Sequence, residues 1–111
     1  MIVGTTIFKM DGNSFYSPEF PRGGLAATFA VETRNISSGA TVTITVEHRN
    51  DDDTSWSTAG TFSGITATGT STLDVTSIKE VVRLKFDFGA GDAATDGIHF
   101  FLPAPAWRPY P

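Results

Sequence analysis

The residues of this chain that could carry chemistry are two histidines and a run of aspartates. His48 ends a strand-like segment, and His99 lies between Ile98 and Phe100. The histidines could bind a metal together, but neither has a third ligand near it in the sequence. The sequence also lacks a G-x-S-x-G nucleophile motif, a phosphate-loop glycine pattern and any cysteine, which excludes thiol catalysis and disulfides. We therefore expect a protein that is not an enzyme and that uses no cofactor and no metal.

The aspartates at positions 51–53 could belong to a calcium loop or to a turn between strands. Calcium loops usually place their carboxylates at alternate positions and close with a further acidic residue. Here the three aspartates are consecutive and follow Asn50. Because Asn and Asp favour tight turns through hydrogen bonds to the local backbone, we predict a solvent-exposed turn.

The charge and hydropathy of the chain exclude further classes of partner. The net charge is −4, and the eight basic residues are spread along the sequence, so no basic stripe exists to neutralise a phosphate backbone. No apolar run approaches the roughly 18 residues of a membrane span, and the first residues lack the pattern of a signal peptide. We expect no nucleic acid, no contact with a membrane and synthesis in a cytoplasm.

The elements that position these residues are predicted to be β-strands. Apolar and polar residues alternate in residues 40–48, in residues 82–88 and in residues 25–33, where Leu25 is predicted to face inwards. A period of two indicates strands with one buried and one exposed face. The predicted core consists of Phe29, Val42, Ile44, Val46, Leu73, Val82, Leu84 and Phe86.

The whole pattern predicts an all-β domain. We find seven to eight strand segments at intervals of about 8–12 residues and no helical pattern of useful length, which is typical of an antiparallel β-sandwich. Residues 17–24 hold two prolines and two glycines and are predicted to form a surface loop. We expect a single jelly-roll-like β-sandwich in residues 1–102.

The last nine residues, 103–111, are predicted to form an extended arm. They hold four of the six prolines, which cannot donate to a β-ladder. They also carry Trp107, Arg108 and Tyr110, which we take as candidate protein-interaction residues. Trp107 either folds back over an open end of the domain or docks on a neighbouring subunit, and Tyr110 fits docking better.

Three segments of the chain carry a resemblance to a known class of proteins. A strand ending in Glu47-His48-Arg49 enters the aspartate turn, and Trp56 opens the next segment before Gly60-Thr61-Phe62-Ser63. An Ile-Lys-Glu-x-x-Arg step, from Ile78 to Arg83, leads into a hydrophobic strand. Together with the Trp-Arg pair near the C-terminus, these segments resemble small β-sandwich virion proteins of tailed bacteriophages.

The resemblance implies a structural virion protein of the capsid decoration or cement type, or a head–tail accessory protein. Such a protein binds other virion proteins, such as the major capsid or tail protein, by contact alone. It would be made in the host cytoplasm and located in the virion. We expect a homo-oligomer, with a trimer suited to the three-fold positions of a capsid.

The alternative is a carbohydrate-binding module of the galactose-binding-like jelly-roll kind. Residues 81–86 resemble the strand that precedes the C-terminus in those domains. Such modules stack sugars on exposed aromatic rings, for which Trp56, Trp107 and Tyr110 are the candidates. Trp56 also has a purely structural interpretation, in which it is half-buried and covers one end of the core.

Overall fold

The computed structural model describes residues 3–8, 14–89, 92 and 95–109, and within them the chain is all-β. Ten strands and no helix are present in these residues. The strands are β1 (Val3–Phe8), β2 (Phe15–Tyr16), β3 (Phe20–Pro21), β4 (Ala26–Ile36), β5 (Val42–Arg49), β6 (Ser57–Thr61), β7 (Gly69–Val75), β8 (Val81–Phe88), β9 (Gly97–Leu102) and β10 (Ala106–Arg108).

Five of the strands form one antiparallel sheet, sheet A. Its long strand β4 pairs with β7 on one edge and with β9 and β10 on the other, and β1 pairs with the far edge of β9. Ala27 and Thr28 of β4 pair with β7 and also with β10, so β10 must lie on the β9 edge. Strands β9 and β10 therefore run along one line, separated by residues 103–105.

The other five strands form a second antiparallel sheet, sheet B. Strands β5 and β8 pair over eight residues each, β6 pairs with the free edge of β5, and β2 and β3 both pair with the free edge of β8. The N–H groups of Ser17 and Arg22 donate to the carbonyls of Leu84 and Glu80 at 2.8 and 3.0 Å, which holds this interrupted edge to β8.

Proline explains why the strands are ten rather than the predicted seven to eight. Strands β2 and β3 lie end to end along β8, and β9 and β10 lie end to end along β4. If each of these two pairs is counted as one interrupted strand, the ten strands correspond to eight. The breaks contain Pro18, Pro103 and Pro105, which have no N–H to continue a ladder. Residues 17–24 are therefore not wholly a loop as predicted, since β3 lies within them.

The inner faces of the two sheets pack against each other around one hydrophobic core. The prediction is confirmed for seven of its eight residues, which are buried, whereas Leu73 is half-buried and packs against the core. Phe86 of sheet B stacks on Phe100 of sheet A, with ring centroids 4.6 Å apart. The prediction for Leu25 is wrong: this side chain is exposed because it precedes β4, so the alternation of that strand does not include it.

The two ends of the stacked sheets differ. At one end β6 approaches β7 closely, and a Cβ atom on Gly60 would lie 3.1 Å from the Leu73 side chain. At the other end, no pairing joins β1 of sheet A to β2 of sheet B within the described residues. An apolar crevice of about 250 Å³ opens between the sheets there.

Candidate functional site

The two histidines lie on different sheets. His99 is exposed on the outer face of sheet A, as its alternation predicts, and its Nδ1 lies 2.7 Å from the Thr6 hydroxyl. His48 is only 8% exposed and lies near the end of β5. No group of three or more His, Asp or Glu residues in the described part of the chain is arranged to hold a metal ion.

His48 has a structural role at the end of its strand. The backbone N–H of Lys79 donates to its Nδ1 at 3.1 Å, so the imidazole is the acceptor and is neutral. Burial lowers the pKa of His48 below 6.5, and the charge of Lys79 lowers it further. The neutral ring thus fixes the turn that leads into β8.

The aspartates form the predicted turn. The N–H of Asp53 donates to the Asn50 carbonyl at 3.0 Å, and the Asp53 carboxylate accepts the N–H of Asn50 at 2.8 Å. Asp51 and Asp52 are exposed. One carboxylate is therefore used to close the turn itself, which is the local hydrogen bonding that favours Asn and Asp in turns.

Trp107 of the predicted arm lies against its own domain. It is half-buried, and its ring meets those of Phe20 and Phe29 edge to face, with centroids 6.4 and 6.0 Å apart. A Cβ atom on Gly23 would lie 2.8 Å from the indole Cγ, so only glycine allows this approach. This placement matches the interpretation in which Trp107 folds back over the domain.

The structure describes the rest of the predicted arm as far as residue 109. Arg108 belongs to β10 and donates from Nη1 to the Thr28 hydroxyl at 3.0 Å. Residues 106–108, which we predicted outside the domain, are therefore a paired strand of sheet A. Tyr110 lies outside the described residues.

The outer face of sheet B holds a group of residues that we call the arginine–aromatic cluster: Tyr16, Glu47, Arg49, Trp56 and Arg83. The guanidinium carbon of Arg83 lies 4.1 Å from the ring centre of Tyr16 and 4.2 Å from that of Trp56. Its Nε also donates to Glu47 at 2.9 Å, across the β5–β8 pair. Arg49 lies 5.1 Å from the Trp56 ring centre.

The contacts within the cluster restrict the side chain of Arg83. Arg83 is held by an ion pair with Glu47 and by cation–π contacts with the rings of Tyr16 and Trp56. Tyr16 remains 50% exposed, whereas Trp56 is half-buried, as predicted. The prediction that Trp56 covers one end of the core is wrong, because its ring lies against Arg49 and Arg83 and is not among the side chains that pack on the core. Trp, Tyr and Arg are the residue types that most often dominate protein-binding energy.

Trp56 could be recognised from the sequence as a candidate site residue, whereas Tyr16 and Arg83 could not. The alternation of β8 did place Arg83 on the outer face. Its proximity to Tyr16 depends on the pairing of β2 with β8, which is a long-range contact that no local pattern signals.

Comparisons of this chain with known protein families, with curated proteins and with solved structures found no match. In the described part of the chain, no helix has the length and hydropathy needed to cross a membrane.

Proposed function

We propose that this protein is a structural component of a tailed-phage particle that binds a neighbouring virion protein through the outer face of sheet B. The observation that carries the proposal is the composition of the arginine–aromatic cluster. Glu47, Arg49, Trp56 and Arg83 all come from the segments that resemble phage virion proteins, and the fold brings them together on one exposed face.

The restriction of Arg83 by its contacts in the cluster supports a role in binding. Ordering a free arginine or tyrosine at an interface costs conformational entropy, and here the contacts within the cluster have already restricted Arg83. A specific protein interface buries on the order of 1,000 Å² or more. The exposed ring of Tyr16 would be a central contact in such an interface.

The remaining features of the proposal concern shape and assembly. Two antiparallel sheets that pack face to face are consistent with a jelly-roll-like β-sandwich of the decoration or cement type. The homo-oligomer, with a trimer as the expected form, stays part of the proposal. Because Trp107 packs on its own chain, Tyr110 is the remaining candidate for an arm contact.

The test is association with particles. Particles are purified on a density gradient from cells that produce the phage encoding this protein, and the protein is quantified in the particle and free fractions. Tyr16→Ala and Arg83→Ala should shift the protein to the free fraction. Arg34→Ala is the matched control, since Arg34 lies 5.5 Å from the Phe101 ring centre on the other sheet. Absence of the wild-type protein from the particle fraction would refute the function.

A carbohydrate-binding module is the second candidate, because two aromatic rings share one sheet face and Tyr16 is half-exposed. The packing of Trp107 against Phe20 and Phe29 argues against this ring, which was one of the three candidates for a sugar platform. A glycan array decides between the two candidates. A glycan signal that Tyr16→Ala abolishes would favour the sugar module, and an array without signal would favour the virion protein.

A further inference from the structure

The interrupted edge formed by β2 and β3 borders two neighbouring concave regions. Residues 15–18 line the apolar crevice of about 250 Å³ at the open end of the sheets. Residues 19–22 line a shallow groove of about 470 Å³. The two regions therefore follow each other along one stretch of chain, which we call the β2–β3 edge.

The crevice offers apolar contact. Its walls include Ile7, Phe15 and Leu102, and the stacked pair Phe86 and Phe100 also lines it. The hydroxyl of Ser17 at its border is already engaged, since it accepts the N–H of Leu84 at 2.8 Å and donates to the Pro18 carbonyl at 3.1 Å. An apolar side chain is the group that fits such a site.

The groove carries excess negative charge. Its lining includes the acidic residues Glu19, Asp51 and Glu80 and the basic residue Arg22. Arg22 is held by the Ile78 carbonyl at 2.6 Å, and Arg49 lies 3.9 Å from Glu19 at the border. When both arginines are counted, the three acidic residues still outnumber the two basic ones. The groove therefore favours the binding of a cation over that of an anion. This balance of charge disfavours the binding of a lipid phosphate or a nucleic acid there.

The backbone of the edge cannot support a continuous added strand. The N–H groups of Ser17 and Arg22 are directed at β8, and Pro18 and Pro21 have no N–H. Recognition along this edge therefore depends on side chains that enter the two concave regions. The stretch from residue 16 to residue 20 corresponds to about 13 Å of extended chain.

We propose that the β2–β3 edge binds an extended segment of a partner protein that carries an apolar side chain and, about four residues away, a lysine or arginine. The apolar side chain enters the crevice, and the cation lies among the carboxylates of the groove. The inference rests on the proposed function, in which the partner is a neighbouring virion protein, and it specifies the chemistry of that partner.

The test selects binding peptides without assuming a sequence. A displayed library of random peptides, long enough to span both regions, is enriched on the purified full-length protein. We expect the enriched peptides to pair an apolar residue with Lys or Arg at this spacing. Enrichment of acidic peptides, of basic peptides without the apolar residue, or of no pattern would overturn the proposal.

Two variants check where the selected peptide binds. Glu19→Gln combined with Glu80→Gln keeps the oxygen that accepts the Asp51 N–H but removes two charges. Binding of the best selected peptide should weaken about three- to tenfold, the size expected for two partly exposed ion pairs. Glu32→Gln, an exposed carboxylate on sheet A, should leave the affinity unchanged. Equal affinity for all three proteins would place the peptide elsewhere and contradict the proposal.

The outcome separates this inference from the proposed function. Particle association without the apolar–basic pattern overturns the inference alone. The pattern without particle association supports the binding edge and refutes the virion role.

Discussion

The guanidinium of Arg83 lies 4.2 Å from the centre of the Trp56 ring, and contacts of Arg83 with Glu47 and Tyr16 hold it there. Its Nε donates to Glu47 at 2.9 Å, and both side chains of this ion pair are largely buried at 19% and 14% exposure. A charge-assisted hydrogen bond in such a setting is stronger than an exposed ion pair. Arg83 thus contacts Glu47, Tyr16 and Trp56 and connects these side chains on the outer face of sheet B.

Replacing Arg83 should therefore destabilise the fold as well as weaken binding. Arg83→Ala removes the ion pair and both cation–π contacts and leaves Glu47 partly buried without its partner, at an expected cost of about 1–3 kcal/mol. Urea unfolding measures the change in free energy. Arg83→Lys keeps the charge but not the planar fork, so it should restore only part of the stability. Equal stability of Arg83→Ala and wild type would show that the cluster contributes nothing to the fold.

Stability should depend on pH through His48. Its folded pKa is lowered by burial and by Lys79, so below pH 6.5 the unfolded chain binds a proton more readily than the folded one. The contribution of His48 is fully present above pH 6.5 and is lost as the pH falls through the folded pKa. Urea unfolding across this range measures it, with His48→Gln as the variant in which this dependence should disappear. An unchanged pH profile in that variant would contradict the role of His48.

Trp107 should stabilise the domain that it covers. Trp107→Ala removes the contacts with Phe20 and Phe29, and we expect a cost of about 2–4 kcal/mol, somewhat below that of a fully buried tryptophan. Gly23→Ala should also destabilise, because its new methyl group would collide with the indole ring. Thermal unfolding tests both variants. A wild-type melting temperature for both would mean that residues 106–108 are not part of the domain in solution.

Thr33 offers a stabilising substitution. Its hydroxyl is buried, at 3% exposure of the residue, and has no hydrogen-bond partner among the described residues. Thr33→Val keeps the shape and removes the unpaired polar atom, so the free energy of unfolding should rise by about 1–2 kcal/mol. Thr43→Val on the outer face of sheet B is the control and should change stability by less than about 0.5 kcal/mol. A loss of stability in Thr33→Val would show that the hydroxyl has a partner.

The faces of the central strands could be predicted from the sequence alone. Ile44 and Leu84 are both buried as expected, because a side-chain period of two is a local property of an extended chain and a slip of one residue would have exposed both. The aspartate turn was also predicted, since its hydrogen bonds join residues only three apart. The proline content of the tail predicted an extended arm over residues 103–111, which is wrong for residues 106–108, since they pair with β4.

Which strands lie side by side was decided only by the tertiary structure. Arg83 meets Tyr16 because β2 pairs with β8, and Trp107 meets Phe29 because β10 pairs with β4. These contacts join residues that are far apart in the sequence, so no local pattern encodes them. The alternation of apolar and polar residues determines the face of the sheet on which each side chain lies. The residues that the side chain contacts on that face depend on how all the strands pack together.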